Sequence, residues 1–280
     1  MFAYQSPIEI ASVALTVSDL QGQVAFYKDK IGLELLRESP VTAELGVGHQ
    51  VLLTLIKGSG TVSPSVTGLY HTAFLLPSRA ALGDVLYHLW NEKVPLIGAS
   101  DHSYSEAIYL EDPEGNGIEV YADKPISDWD RDEAGIPIAK TEAMDVEGVL
   151  ALASSFSDYR IPEGSRVGHV HLSVKNARQT SQLYQAVFPI QDKLTVPTAS
   201  FLAGGDYHHH LAVNQWTRNL AIREKGQLGL SYVRLRVADE SVYAAIAVAA
   251  RKENMIVEEQ ETSLFLKDPL NGIAFAIAKP

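Results

Sequence analysis

Three of the chain's nine histidines stand side by side in Gly204-Gly205-Asp206-Tyr207-His208-His209-His210-Leu211-Ala212-Val213-Asn214-Gln215-Trp216, a stretch whose apolar residues read as a strand. Imidazoles in such surroundings are costly to bury unless each ring finds a partner. A ring that titrates near neutrality can move protons in either direction or ligate a metal. The chain has no cysteine, so a disulfide framework and a thiolate metal site are both excluded, and any metal must be held by histidine, carboxylate or water. On a strand, His208 and His210 share one face and His209 takes the other, so the triplet is expected to split its roles, with His208 and His210 at an edge or in support.

The 280 residues suffice for two ordinary domains, and 46% hydrophobic with 20% charged residues is the balance of a globular protein. With 23 basic against 34 acidic residues the net charge is −11, and no basic stripe appears, which excludes a nucleic-acid surface. A small organic ligand is the expected partner. The first residues lack a basic region followed by an apolar run, and no apolar segment is long enough to span a bilayer. No membrane is expected as a partner, the expected compartment is the cytoplasm, and a homo-oligomer is left open.

What must position these side chains is a unit that recurs. Ile10 to Val17 alternates as a half-buried strand, Asp19 or Ser18 caps a helix with Leu20, Val24, Tyr27 and Ile31 on one face, and Gly32 stops it. Strands at 33–38, 42–46 and 50–56 complete a β-α-β-β-β order. A second copy starts at Gly68, a third at Gly168 and a fourth at Gly229. In the third, Leu183-Tyr184 matches Phe26-Tyr27 at the same distance from the strand. Copies two and four share a turn, Asp112-Pro113-Glu114-Gly115-Asn116-Gly117 against Asp268-Pro269-Leu270-Asn271-Gly272. The expected domains are 8–124 (modules about 8–57 and 67–124) and 167–280 (modules about 167–217 and 228–280). Residues 125–166 form a connector with one short helix near Val146 to Ala153.

This order resembles the vicinal oxygen chelate superfamily, which includes glyoxalase I, bleomycin and fosfomycin resistance proteins and extradiol dioxygenases. Gly68-Leu69-Tyr70-His71, Asp101-His102, the hairpin from Tyr109 to Asp123, Gly168-His169-Val170-His171 and the triple histidine resemble its catechol 2,3-dioxygenase-like branch. The resemblance implies an α+β fold whose four modules pair into two open, barrel-like sheets, with metal ligands projecting inward from first and last strands.

The inward position at the start of each first strand is Ser12, His71, His169 or Tyr232, and the matching last-strand position is Glu119 in module two but Ala274 in module four. His71, His169 and Glu119 would make a two-histidine, one-carboxylate set, which on Fe(II) leaves adjacent positions for substrate and O2; Mn(II) or another divalent metal is the alternative. Modules pairing one with two and three with four would split that set, so two is expected to pair with three within the chain, with a barrel completed across a dimer as the alternative. By the resemblance, His209 is the acid/base residue and Tyr109, ten residues before Glu119, the active-site tyrosine. His102, on the loop before the hairpin, would bond a substrate hydroxyl or stand as an exposed loop histidine; His171, Asn214 and Trp216 would line the substrate, with packing the alternative for the tryptophan. His49 and His88 read as loop and helix-surface residues. The implied activity is extradiol cleavage of a catechol-type aromatic with O2. The competing readings are a glyoxalase-type metal-dependent isomerase or lyase, for which a second inward carboxylate is missing, and a non-catalytic binding or resistance protein.

Overall fold

The computed structural model describes residues 1–61, 65–154, 158–224 and 226–280. Module one comprises β1 (Ile8–Val17), α1 (Leu20–Asp29), β2 (Glu34–Glu38), β3 (Thr42–Val47) and β4 (Gln50–Lys57). Module two comprises β5 (Gly68–Leu76), α2 (Arg79–Asn91), β6 (Gly98–Asp101), β7 (Ser105–Glu111) and β8 (Gly117–Asp123). The connector carries β9 (Glu142–Ala143) and α3 (Val146–Leu150). Module three follows as β10 (Arg166–Ser173), α4 (Ala177–Val187), β11 (Gln191–Val196), β12 (Ala199–Ala203) and β13 (Leu211–Asn214). Module four is β14 (Gly229–Val237), α5 (Glu240–Lys252), β15 (Ile256–Gln260), β16 (Ser263–Lys267) and β17 (Ala274–Ala278). The β-α-β-β-β order thus holds in all four.

The strands form two open sheets, ordered β15-β16-β17-β14-β1-β4-β3-β2 and β11-β12-β13-β10-β5-β8-β7-β6-β9. Strands of modules one and four make up the first and those of two and three the second, the pairing that keeps the three proposed ligands in one sheet. Within each module the helix starts from a side-chain cap just past the first strand: Asp19, Ser78, Asn176 and Asp239 accept from backbone N–H groups of the first turn. Such caps contribute about 1 kcal/mol each.

By contacts the chain divides into two compact units, one of Val17–Lys57 and His71–Val167, the other of Met1–Thr16, Gly58–Tyr70 and Gly168–Pro280. Each holds the same buried lock. In the first, the Tyr27 hydroxyl on α1 donates to Asp112 Oδ2 at 3.0 Å, and Asp112 also accepts from the backbone of Glu114 and Asn116 and from the Asn116 amide. In the second, Tyr184 on α4 donates to Asp268 Oδ2 at 2.9 Å, with Leu270, Asn271 and the Asn271 amide as further donors. The repeated Asp-Pro turn is therefore more than a hairpin signal, because its aspartate ties the helix of an odd-numbered module to the hairpin of the next. Burial, and then the facing carboxylate, push the hydroxyls of Tyr27 and Tyr184 well above the usual phenol range.

Three expectations are corrected. The histidine triplet is not on a strand: β13 begins at Leu211, and His208 to His210 occupy the irregular segment before it, with His210 tied to the flanking strands by its backbone, so strand alternation says nothing of the directions of His208 and His209. The stretch before the second hairpin is not a plain loop, since Gly98 to Asp101 pairs with Tyr109 to Glu106 as β6. The connector helix stops at Leu150, and β9 adds to the sheet edge through Ser100↔Ala143; connector residues 155–157 lie outside the described residues.

Candidate metal centre

β5 and β8 run parallel with His71 opposite Gly117 and Ala73 opposite Glu119. Two-residue periodicity puts His71 and Glu119 on one face of the sheet, and His71 Nε2 lies 3.0 Å from Glu119 Oε2 with both side chains buried. The antiparallel register of β7 and β8 places Tyr109 directly opposite Glu119, and the Tyr109 and His71 rings are 5.9 Å apart. Tyr109 Oη in turn shares a 2.7 Å hydrogen bond with Nε2 of His102, which follows β6. On the far side of the imidazole, Nδ1 lies 3.2 Å from the Lys140 carbonyl in the connector. His102 is thus half-buried and held at both nitrogens, not an exposed loop residue.

On β10, His169 and His171 alternate with Val170 and so share a face; both are buried. The His209 ring sits 4.1 Å from that of His169 and 5.2 Å from Phe201. His208 and His209 face each other through their Nδ1 atoms at 2.8 Å, so one ring donates and the other accepts. His208 and His210 are as buried as His209, which places all three inside the protein and none at an edge. His171 Nε2 is 3.1 Å from Asn214 Nδ2. Around it stand Tyr70 at 4.9 Å, Trp216 at 5.1 Å and Phe201 at 5.7 Å between ring centroids. Tyr70 and Phe201 carried no signal as site residues in the sequence, where an isolated aromatic reads as packing. Trp216, two residues beyond β13, is 49% exposed and donates from its indole to Thr198 Oγ1. His49 is an exposed turn residue, whereas His88 on α2 stacks on Tyr159 and bonds the Asp29 carbonyl.

One ligand atom each from His71, Glu119 and His169 lie within 4.8 Å of one another, all three residues being buried. No other such group of histidine and carboxylate side chains occurs among the described residues, the histidine triplet included. Two imidazoles and one carboxylate at this spacing, shielded from water, form a donor set that suits a divalent first-row metal with positions left for exogenous ligands.

Residues 9–120 match the family model described as Glyoxalase/Bleomycin resistance protein/Dioxygenase superfamily. Over 286 aligned positions, 99% of this chain and 100% of the relative, the chain is 37% identical to the catechol-2,3-dioxygenase of Bacillus subtilis (strain 168). The chain belongs to this superfamily. Within it, the chain stands in the catechol 2,3-dioxygenase-like branch of enzymes. A second relative, biphenyl-2,3-diol 1,2-dioxygenase 3 of Rhodococcus globerulus, is 28% identical over 119 residues, 41% of this chain and 63% of its own length. The α+β fold with two open sheets is shared with glyoxalase I from Zea mays at a TM-score of 0.61 and 15% identity, covering 97% of this chain and 92% of that one.

Proposed function

We propose that the chain is an extradiol ring-cleavage dioxygenase that opens a catechol-type aromatic with O2 at a divalent metal held by His71, His169 and Glu119. Fe(II) is the first choice and Mn(II) the second. The observation that carries this reading is the buried two-histidine, one-glutamate group, in a chain similar along its length to a catechol-2,3-dioxygenase. When bound, the metal supplies a Lewis-acidic centre at which a catechol and O2 meet, turning an improbable encounter into an intramolecular one.

The protein's own groups do the rest. His209 takes a proton from a substrate hydroxyl and returns one as the ring opens, a two-way task suited to imidazole. With Nδ1 turned to His208, the exchanging nitrogen is Nε2. Tyr109 Oη accepts from a substrate hydroxyl and passes its own proton toward His102 Nε2. His171 and Asn214, framed by Tyr70, Phe201 and Trp216, line the ring and its substituents. Protein purified without oxygen should carry about one Fe(II) or Mn(II) per chain and consume O2 with a catechol. His71→Ala, His169→Ala and Glu119→Ala should each lose the metal. His209→Ala should keep it while losing roughly 100-fold or more in kcat. Isomerase activity without O2 uptake, or unchanged ring cleavage in His209→Ala, would refute the assignment.

A further inference from the structure

The segment that delivers His209 lies outside the strands, and of the histidine triplet it is His210 whose backbone is tied to them, its N–H donating to the Leu202 carbonyl at 2.8 Å and its carbonyl accepting from Val170 N–H at 3.0 Å. Between the end of β12 at Ala203 and the start of β13 at Leu211 the chain runs through Gly204-Gly205-Asp206-Tyr207 as turns and bends. An acid/base ring on such a segment needs its backbone fixed from elsewhere, because a ring displaced by about 1 Å loses much of its effect. On the N-terminal side of the triplet the fixing element is the first residues of the chain. Asp206 N–H donates to the Tyr4 carbonyl at 2.7 Å. The Tyr4 ring stacks on Tyr207 at 4.4 Å with an interplanar angle of 27°. Tyr207, fully buried, packs in turn on His208 at 4.0 Å and on His210 at 4.9 Å.

The sequence of the loop is cut to admit this strap. A Cβ on Gly204 would meet Ser6 Oγ at 2.7 Å and Pro7 Cδ at 2.8 Å, and one on Gly205 would run into the Tyr4 carbonyl. Gly205 also has φ +62°, a conformation open to glycine at little cost. The strap is itself held in an uncommon shape: Tyr4 and Gln5, neither a glycine, are both in the left-handed region at φ 56°. Strain of this kind persists only where surrounding contacts over-determine it, and it gathers at functional sites. Lys193 Nζ, donating to the Gly205 carbonyl at 2.9 Å, braces the loop from the other side.

We infer that the N-terminal strap, through Tyr4 on Tyr207 and the Tyr4 carbonyl on Asp206, is the positioning element that holds His209 in register for proton transfer. Tyr4 is a positioning residue that acts through Tyr207 and His208. The inference rests on the proposed acid/base role of His209, so its test carries two independent readouts. The first is steady-state kinetics of the metal-loaded enzyme on a catechol. The second is acylation of the 208–210 peptide by diethyl pyrocarbonate in the metal-free protein, followed by mass spectrometry. Tyr4→Ala should lower kcat about tenfold with KM and metal content little changed, as expected when the partner that orients a functional imidazole is lost. It should also raise acylation of the triplet several-fold, and Tyr4→Phe, which keeps the stacking ring, should restore both. Gly205→Ala, which pushes the strap away from the loop side, should reproduce the Tyr4→Ala pattern. Wild-type acylation in Tyr4→Ala, or raised acylation with wild-type kcat while His209→Ala is inactive, would overturn the positioning role. Full turnover in His209→Ala would instead remove the reading beneath it, a failure visible in a different variant.

Discussion

Because a backbone carbonyl can only accept, the contact between His102 Nδ1 and the Lys140 carbonyl puts the imidazole proton on Nδ1. In the neutral ring Nε2 is then an acceptor, and the 2.7 Å bond is one that Tyr109 donates. The two residues therefore form one hydrogen-bonded unit, and under the proposed function their substitutions should not add. Tyr109→Phe and His102→Gln are each expected to lower kcat by roughly 10-fold or more, and the double variant to fall well short of the product of the two, as groups in one hydrogen-bond network do. Multiplicative losses in a double-mutant cycle would show that the pair is not a relay. Both members were singled out in the sequence by the family resemblance, Tyr109 through its spacing to Glu119 and His102 through Asp101-His102. Their direct bond was not, nor was the connector carbonyl on the far side of the imidazole that sets its direction, since no side-chain pattern announces either. The histidine triplet shows the opposite failure. A period of two does not extend to the residues that precede β13, where the His209 ring is placed by His208 and Phe201 and the His208 ring by Tyr207, not by a pleat.

At the scale of elements, the four modules were readable because each repeats an apolar strand and a capped helix at fixed spacing, and Phe26-Tyr27 and Leu183-Tyr184 fell in register. What stayed hidden is short and polar: Gly98-Ala99-Ser100-Asp101 and Glu142-Ala143 have no alternation to betray a strand, and tertiary pairing alone makes them β6 and β9. The paired Asp turns gave a turn and concealed a lock. Asp112 is buried under four hydrogen-bond donors, and burial raises its carboxyl despite them. Asp112→Ala would orphan the buried Tyr27 hydroxyl and the turn's N–H groups together, costing about 2–4 kcal/mol. Asp268→Ala should cost a similar amount through Tyr184. Tyr27→Phe, which removes one donor and keeps the ring, should cost only about 1 kcal/mol. Urea midpoints at neutral pH measure all three. An Asp112→Ala no less stable than Tyr27→Phe would mean that the aspartate is ordinary turn chemistry.

For the molecule as a whole, the same locks set a limit at alkaline pH. Burial first, then a nearby carboxylate, raise the hydroxyls of Tyr27, Tyr184, Tyr104 and Tyr159 above the usual tyrosine range. The ordinary value is about 10, so above that pH the unfolded chain sheds phenol protons that the folded chain retains. A group whose folded pKa is raised gives stability that is fully present below its unfolded pKa and is lost as pH climbs toward the folded one. Stability should therefore be insensitive to these residues near neutrality and fall steeply above pH ~10, each buried tyrosine contributing at most about 1.4 kcal/mol per pH unit. The carboxylates beside them reinforce the sign, since a phenolate at Tyr27 or Tyr184 would face Asp112 or Asp268. A Tyr27→Phe, Tyr184→Phe double variant should start from lower stability at pH 8 and lose less of it between pH ~9.5 and ~11, so that the two stability curves converge. Parallel curves over that window, from urea unfolding at each pH, would place the alkaline limit elsewhere than in the two tyrosine–aspartate locks.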